Sequence, residues 1–266
     1  MSRIARAFEV ARHERRKVLV TYLCGGDPSL ESTARMVPAL AEAGADIIEI
    51  GLPFSDPLAD GPTIQAASQR ALERGVTVAK ILELVFTLRS NAVQVPIVLM
   101  GYFNPILAMG LERFCERAAA AGVDGLIVPD LPLEEHGPLG AAAAARGIDL
   151  VLLAAPTTPA GRLKDIAEAS RGFLYLVSVA GVTGARASVP VDLPQRLDAA
   201  RSASRLPVAV GFGISTPEQA RELGAHADAV VVGSALVQRL HDALGDPGPA
   251  LLLVRSLAAA LRSPNP

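Results

Sequence analysis

Along the chain, short aliphatic and β-branched runs recur at residues 18–23, 47–52, 96–102, 125–129, 149–154, 173–178, 208–211 and 229–232. Most are nearly continuous apolar runs without in/out alternation, the pattern of strands covered on both faces in a parallel sheet. Between them, helical periodicity predicts helices over 30–43, 81–91, 111–121, 133–146, 162–169 and 217–223. Three end in glycine, at Ala43-Gly44, Ala121-Gly122 and Arg146-Gly147, which is C-cap chemistry. Ahead of the first run, Ile4, Ala7, Phe8 and Ala11 mark one face of a further short helix.

The runs start about 30 residues apart on average, the size of one βα unit. Eight such units predict an α/β chain that forms a single (β/α)8 TIM barrel over 1–266, with an extra N-terminal helix and a frayed tail at 263–266. An open doubly wound sheet is the alternative. Against it, no G-x-G-x-x-G follows the first strand, where Gly25-Gly26-Asp27-Pro28 reads as a turn. Two gaps are long and predict inserted loops after strands 2 and 6. The first carries Pro53-Phe54-Ser55-Asp56-Pro57-Leu58-Ala59-Asp60-Gly61-Pro62 and extra helix around 63–74; the second carries Ala180-Gly181-Val182-Thr183-Gly184-Ala185-Arg186. Both insertions begin at strand carboxyl ends, the face on which barrels build active sites.

Composition narrows the function. The 25 Lys and Arg nearly cancel 27 Asp and Glu, for a net charge of −2, so there is no overall basic footprint for nucleic acid or acidic lipid. Half of the residues are apolar, yet no run reaches the ~18 of a membrane span. Cys24 and Cys115 make neither a zinc spacing nor a disulfide framework, and suit a reducing, cytoplasmic setting.

Glu49 is the most informative residue: a single anion within Ile47-Ile48-Glu49-Ile50-Gly51-Leu52, on a strand expected to be buried. A core acid satisfied by a neighbouring hydroxyl or backbone group is one reading. The other is an acid whose raised pKa lets it give and take a proton near neutrality. Asp60, with Asp56 as its competitor, supplies a second carboxylate on the following loop, although Asp60-Gly61-Pro62-Thr63 could also be a turn or cap. Glycine-rich turns at Gly181-Val182-Thr183-Gly184, Gly211-Phe212-Gly213-Ile214-Ser215 and Gly233-Ser234 are suited to cradle a phosphate with main-chain N–H groups. The four histidines lie away from these motifs, no metal-ligand cluster is evident, and Lys17, Lys80 and Lys164 fall outside strand carboxyl ends, which disfavours a Schiff base.

The segment Glu49-Ile50-Gly51-Leu52-Pro53-Phe54-Ser55-Asp56-Pro57-Leu58-Ala59-Asp60-Gly61-Pro62-Thr63-Ile64-Gln65 resembles the signature of the tryptophan synthase α chain family. Ala180-Gly181-Val182-Thr183-Gly184 and Gly211-Phe212-Gly213-Ile214-Ser215 extend the resemblance, which runs from about residue 4 to 261. It implies a lyase of tryptophan biosynthesis that cleaves indole-3-glycerol phosphate to indole and glyceraldehyde 3-phosphate. It further implies Glu49 as the acid/base, Asp60 on the indole N–H and Thr183 on a closing loop. Gly184, Gly213, Gly233 and Ser234 would hold the phosphate. Tyr22, Ile64, Met100, Ile127, Leu153, Tyr175 and Phe212 match the family's indole pocket.

The resemblance also implies a partner, the β chain of an α2β2 complex, docked through segments at 53–60 and 101–107. Pyridoxal phosphate (PLP) belongs to that β chain, and no cofactor or metal is expected here. Cys24-Gly25 and Val179 depart from the family pattern, and Val179 bears on loop closure. Other readings are a stand-alone indole producer, a phosphate-binding barrel isomerase of a neighbouring step, and a non-catalytic regulatory subunit.

Overall fold

The computed structural model describes residues 1–155, 157–177, 192–211 and 213–262. Its strands are β1 (Val18–Cys24), β2 (Ile47–Gly51), β3 (Ile97–Met100), β4 (Gly125–Ile127), β5 (Asp149–Val151), β6 (Leu153–Ala154), β7 (Leu174–Val177), β8 (Val208–Gly211) and β9 (Ala229–Val232), and every pairing is parallel. They pair in the order β5-β4-β3-β2-β1-β9-β8-β7-β6. Only Leu152 separates β5 from β6, so the two ends of that order are one stretch of chain and the sheet closes on itself. The eight expected runs are the eight staves of this barrel, the fifth one interrupted.

Twelve helices are present among the described residues: α1 (Arg3–His13), α2 (Leu30–Ala43), α3 (Pro62–Glu73), α4 (Val78–Ser90), α5 (Phe103–Met109), α6 (Leu111–Ala121), α7 (Gly137–Ala144), α8 (Ala160–Ala169), α9 (Leu193–Ala203), α10 (Pro217–His226), α11 (Ser234–Asp242) and α12 (Gly248–Arg262). Helices α2 and α6 have the bounds that periodicity predicts, each closed by a left-handed glycine, Gly44 and Gly122. The single helix expected over 133–146 is instead a one-turn 3-10 helix (Leu133–Glu135) followed by α7. Pro138 enters at the start of α7, where its missing N–H costs nothing but where a continuous helix would be broken. The segment 101–107 is mostly helical rather than a loop. Pro105 falls in the first turn of α5, where a proline is tolerated. The extra helix expected after strand 2 is α3. The loop expected after strand 6 and the tail at 263–266 lie outside the described residues.

Strand alternation sorts the side chains. Val18, Val20, Ile47, Val98, Ile127, Val151, Tyr175, Ala209, Ala229 and Val231 face inward and form one cluster with Ile4, Phe8 and Ala11 of α1. Helix α1 is therefore a plug across the amino end of the barrel. Phe8 meets Phe173 with ring centroids 5.9 Å apart, and Phe173 meets Tyr175 at 6.3 Å, so an aromatic column runs along the axis. Polar fasteners hold the plug: Ser2 Oγ donates to Asp149 at 2.9 Å, and Arg3 pairs with Asp124 at 2.9 Å. The outward strand residues pack beneath the helices in a second, larger cluster. Among the described residues no helix is long and apolar enough to cross a membrane.

Candidate active site

The inward row of β2 begins with Ile47, buried in the aliphatic core, and continues with Glu49, in register with Tyr22 of β1 and Val98 of β3. Glu49 is 1% exposed, and its Oε1 has no hydrogen-bond partner among the described residues. The satisfied-core-acid reading of this residue therefore loses its support. Burial pushes the Glu49 carboxyl up to about 8, and no cation among the described residues acts on it.

Two residues further along the same face, Gly51 leaves room for a tyrosine. A Cβ at Gly51 would lie 2.1 Å from the Tyr22 hydroxyl, so only glycine permits that ring to lie over β2. The same device recurs across the barrel, where a Cβ at Gly211 would lie 2.4 Å from the Tyr175 hydroxyl. Both phenols are driven well above their ordinary range, first by burial and then by negative charge, Glu49 and Asp60 among its sources in each case. Two tyrosines and two acids thus share one end of the barrel.

Asp60 reaches this place on the segment between β2 and α3. Its N–H donates to the Pro57 carbonyl at 3.0 Å, and its own carbonyl accepts from Gln65 Nε2 at 2.8 Å. That turn buries Asp60 while leaving Ser55, Asp56 and Leu58 exposed, which separates the two competing acids. Asp56 is taken by the Ser55 hydroxyl at 2.9 Å. The Tyr102 hydroxyl donates to Asp60 Oδ2 at 3.0 Å and accepts from the Ala59 N–H at 2.9 Å, while its ring stacks on Phe54 with centroids 5.3 Å apart. Burial raises the Asp60 carboxyl to about 6, against the lowering effect of the Tyr102 bond.

Tyr102 is the residue that sequence reasoning missed as an Asp60 partner. The available signal was its place just after strand 3 in a chain with only three tyrosines, all of which gather near these acids.

Of the other expected site residues, Met100, Ile127 and Leu153 lie on inward positions of their strands, and Ile64 is buried in the first turn of α3. Gly233 and Ser234 lie at the start of α11, immediately beyond β9, and Ser234 is buried. Gly213, beyond β8, has a left-handed φ of 65°. A helix start with no side-chain cap bond, beside two glycines, suits an anion. Thr183, Gly184, Phe212 and Val179 lie outside the described residues. Cys24 is buried, with its thiol pushed up to about 12, so it is inert as a nucleophile. Among the described residues, no group of three or more His, Cys, Asp or Glu could hold a metal ion.

Comparison with known proteins gives a consistent outcome. The family model described as "Tryptophan synthase alpha chain" matches residues 8–258. A tryptophan synthase alpha chain of Geobacter sulfurreducens is 54% identical over 238 residues, covering 90% of each chain. One from Synechococcus is 51% identical over 243 residues, covering 91% of this chain and 90% of the relative. Among solved structures, a chain of Mycobacterium tuberculosis tryptophan synthase superposes with a TM-score of 0.91 at 39% identity, over 99% of both chains. The alpha chain from Legionella pneumophila gives 0.89 at 37% identity, over 98% of this chain and 97% of that one.

Proposed function

Because this chain belongs to the tryptophan synthase alpha chain family, we propose that Glu49 and Asp60 carry out the cleavage of indole-3-glycerol phosphate at the carboxyl end of the barrel. The protein is the α subunit, a lyase of tryptophan biosynthesis that releases indole and glyceraldehyde 3-phosphate and works with the β chain of tryptophan synthase. The isomerase and stand-alone alternatives are not favoured.

The observation that carries the residue assignment is the pair of unequal acids. With Glu49 near 8 and Asp60 near 6, the form holding a proton on Glu49 and a charge on Asp60 dominates around neutrality. Glu49 gives its proton to the ring carbon that bears the side chain. Positive charge then develops on the indole, and Asp60, accepting from the ring N–H, stabilises it where it appears. Cleavage follows when Glu49, now ionised, takes the proton of the side-chain hydroxyl next to the ring. One group thus serves as acid and then as base.

Tyr22, Ile64, Met100, Ile127, Leu153, Tyr175 and Phe212 wall the bicycle, and the exclusion of water keeps Glu49 protonated. Gly184, Gly213, Gly233 and Ser234 hold the phosphate through main-chain N–H groups, and Thr183 helps to align Asp60. The reaction runs without a cofactor or metal in this chain, PLP residing in the β chain, and it takes place in the cytoplasm. The β chain docks on the segments around 53–60 and 101–107, where Leu58 and Leu107 are exposed. Ala59, Tyr102 and Asp60 form a hydrogen-bonded relay from that surface to the acid. Docking therefore orders the loop and raises the rate.

The test is to assay indole release by Glu49→Gln, with and without β chain, beside a circular dichroism spectrum. Loss of turnover in a folded protein is expected; substantial remaining turnover removes Glu49 from the role.

A further inference from the structure

The opposite end of the barrel holds a feature that the lyase reaction does not use. A cavity of about 760 Å³ lies between the plug helix α1 and the end of α9, floored by the starts of β1 and β8 and by Asp228. That volume falls within the range of small-molecule sites. Its lining includes six cations, Arg12, Arg15, Arg16, Lys17, Arg201 and Arg205, in a chain whose net charge is −2.

The acids facing it are Glu9 and Asp228. Asp228 is already engaged, accepting from the Val208 N–H at 2.9 Å and lying 3.8 Å from Arg201. Arg16 is satisfied by Glu14 and Asp46. Arg12, Arg15, Lys17 and Arg205 have no ion pair among the described residues. Cations at helix carboxyl ends have a structural reason in the helix dipole, which accounts for Arg12 and Arg201. Arg15, Lys17 and Arg205 lie beyond the helices and have no such reason. Arg15 even occupies a left-handed backbone position, φ 55°, where glycine is the unstrained choice. Lys17 is half-buried, and burial disfavours its charge more than the nearby Asp228 carboxylate restores it, with Arg201 adding a smaller repulsion. Gathering unpaired like charges around one cavity costs electrostatic energy that an anionic occupant recovers.

We propose that this cavity is a second binding site, for a small polyanion of the phosphate class, clamped between α1 and α9. Guanidinium forks match phosphate oxygens bidentately, and three of the four unpaired cations are arginines. The limited volume of this half-open cavity favours a compact ligand over a nucleic-acid strand. Because the site bridges the plug to the outer helix layer, its occupant ties α1 down and raises thermal stability.

The probe is inorganic pyrophosphate, titrated calorimetrically into the full chain at low ionic strength with glycerol 3-phosphate in excess to fill the catalytic end. One bound pyrophosphate and a raised melting temperature are expected. Arg12→Gln/Arg205→Gln, both exposed positions, should weaken binding at least about tenfold while indole formation stays unchanged. Arg15→Gly removes a charge at a backbone position that suits glycine, so it keeps the fold and should also weaken binding. Three results would overturn the proposal: no binding; binding undiminished in the variants; or an oligonucleotide bound in preference to pyrophosphate.

Discussion

Asp124, at the amino end of the barrel, and Glu49, towards the carboxyl end, are buried to nearly the same degree, 6% and 1% exposed. Their surroundings differ completely. Asp124 accepts from Arg3 at 2.9 Å, from Arg89 at 2.5 Å and from the Ile97 N–H at 2.8 Å. Arg89 in turn binds the carbonyls of Gly122, Val93 and Val95. Among the described residues Glu49 has an orphaned oxygen and no cation beside it. A buried acid with both oxygens answered is part of the framework, whereas one left unanswered is kept for a ligand. The amino end spends its charges on fastening strands and plug together, and the carboxyl end withholds them.

This contrast can be broken most forcefully at Glu49. Replacing it with Gln keeps shape and removes the titrating group, so kcat should fall at least about 1000-fold. Stability should move the other way. The folded chain holds a proton on Glu49 that the unfolded chain, near its ordinary 4.5, has released. Stability therefore falls as pH rises from about 4.5 towards 8, and Glu49→Gln should abolish that slope in thermal melts and be the more stable protein at pH 8. The reverse pattern is expected at Asp124. Asp124→Ala strands two guanidiniums and should cost about 3 kcal/mol in urea unfolding, with kcat per folded molecule retained.

Smaller effects sharpen the picture at the second acid. Asp60→Asn keeps the turn but removes the charge facing the indole ring, and kcat should drop about 100-fold. The parent pH profile of kcat/KM should rise near 6 as Asp60 ionises and fall near 8 as Glu49 loses its proton. Tyr102→Phe deletes the bond that lowers the Asp60 carboxyl, so the rising limb should shift to higher pH, with about a tenfold loss at neutrality. An unshifted limb would leave Tyr102 with a packing role alone.

The barrel was largely legible in sequence because both-face burial leaves uniform aliphatic runs, and Ile47-Ile48-Glu49-Ile50 is such a run with one anomaly. Where local signals conflicted, the reading slipped. Gly137-Pro138 broke a helix that alanine-rich periodicity made look continuous. Asp60 and Asp56 could not be separated by spacing, because a turn contact to Pro57 decides which of them is buried. Tyr102 was invisible as an Asp60 partner, since the pair is 42 residues apart in sequence. The basic cavity was illegible for the same reason: Lys17 and Arg205 meet only when the barrel closes.

The most direct test of the difference between the two ends is the titration of Glu49 itself. Carboxyl-labelled glutamate, followed by carbon NMR and assigned by subtraction of the Glu49→Gln spectrum, reports its protonation in the free protein. A midpoint near 8 is the expected result. A midpoint at or below the ordinary 4.5 would mean that Glu49 is an ionised, satisfied core acid, and the account of this site would fail.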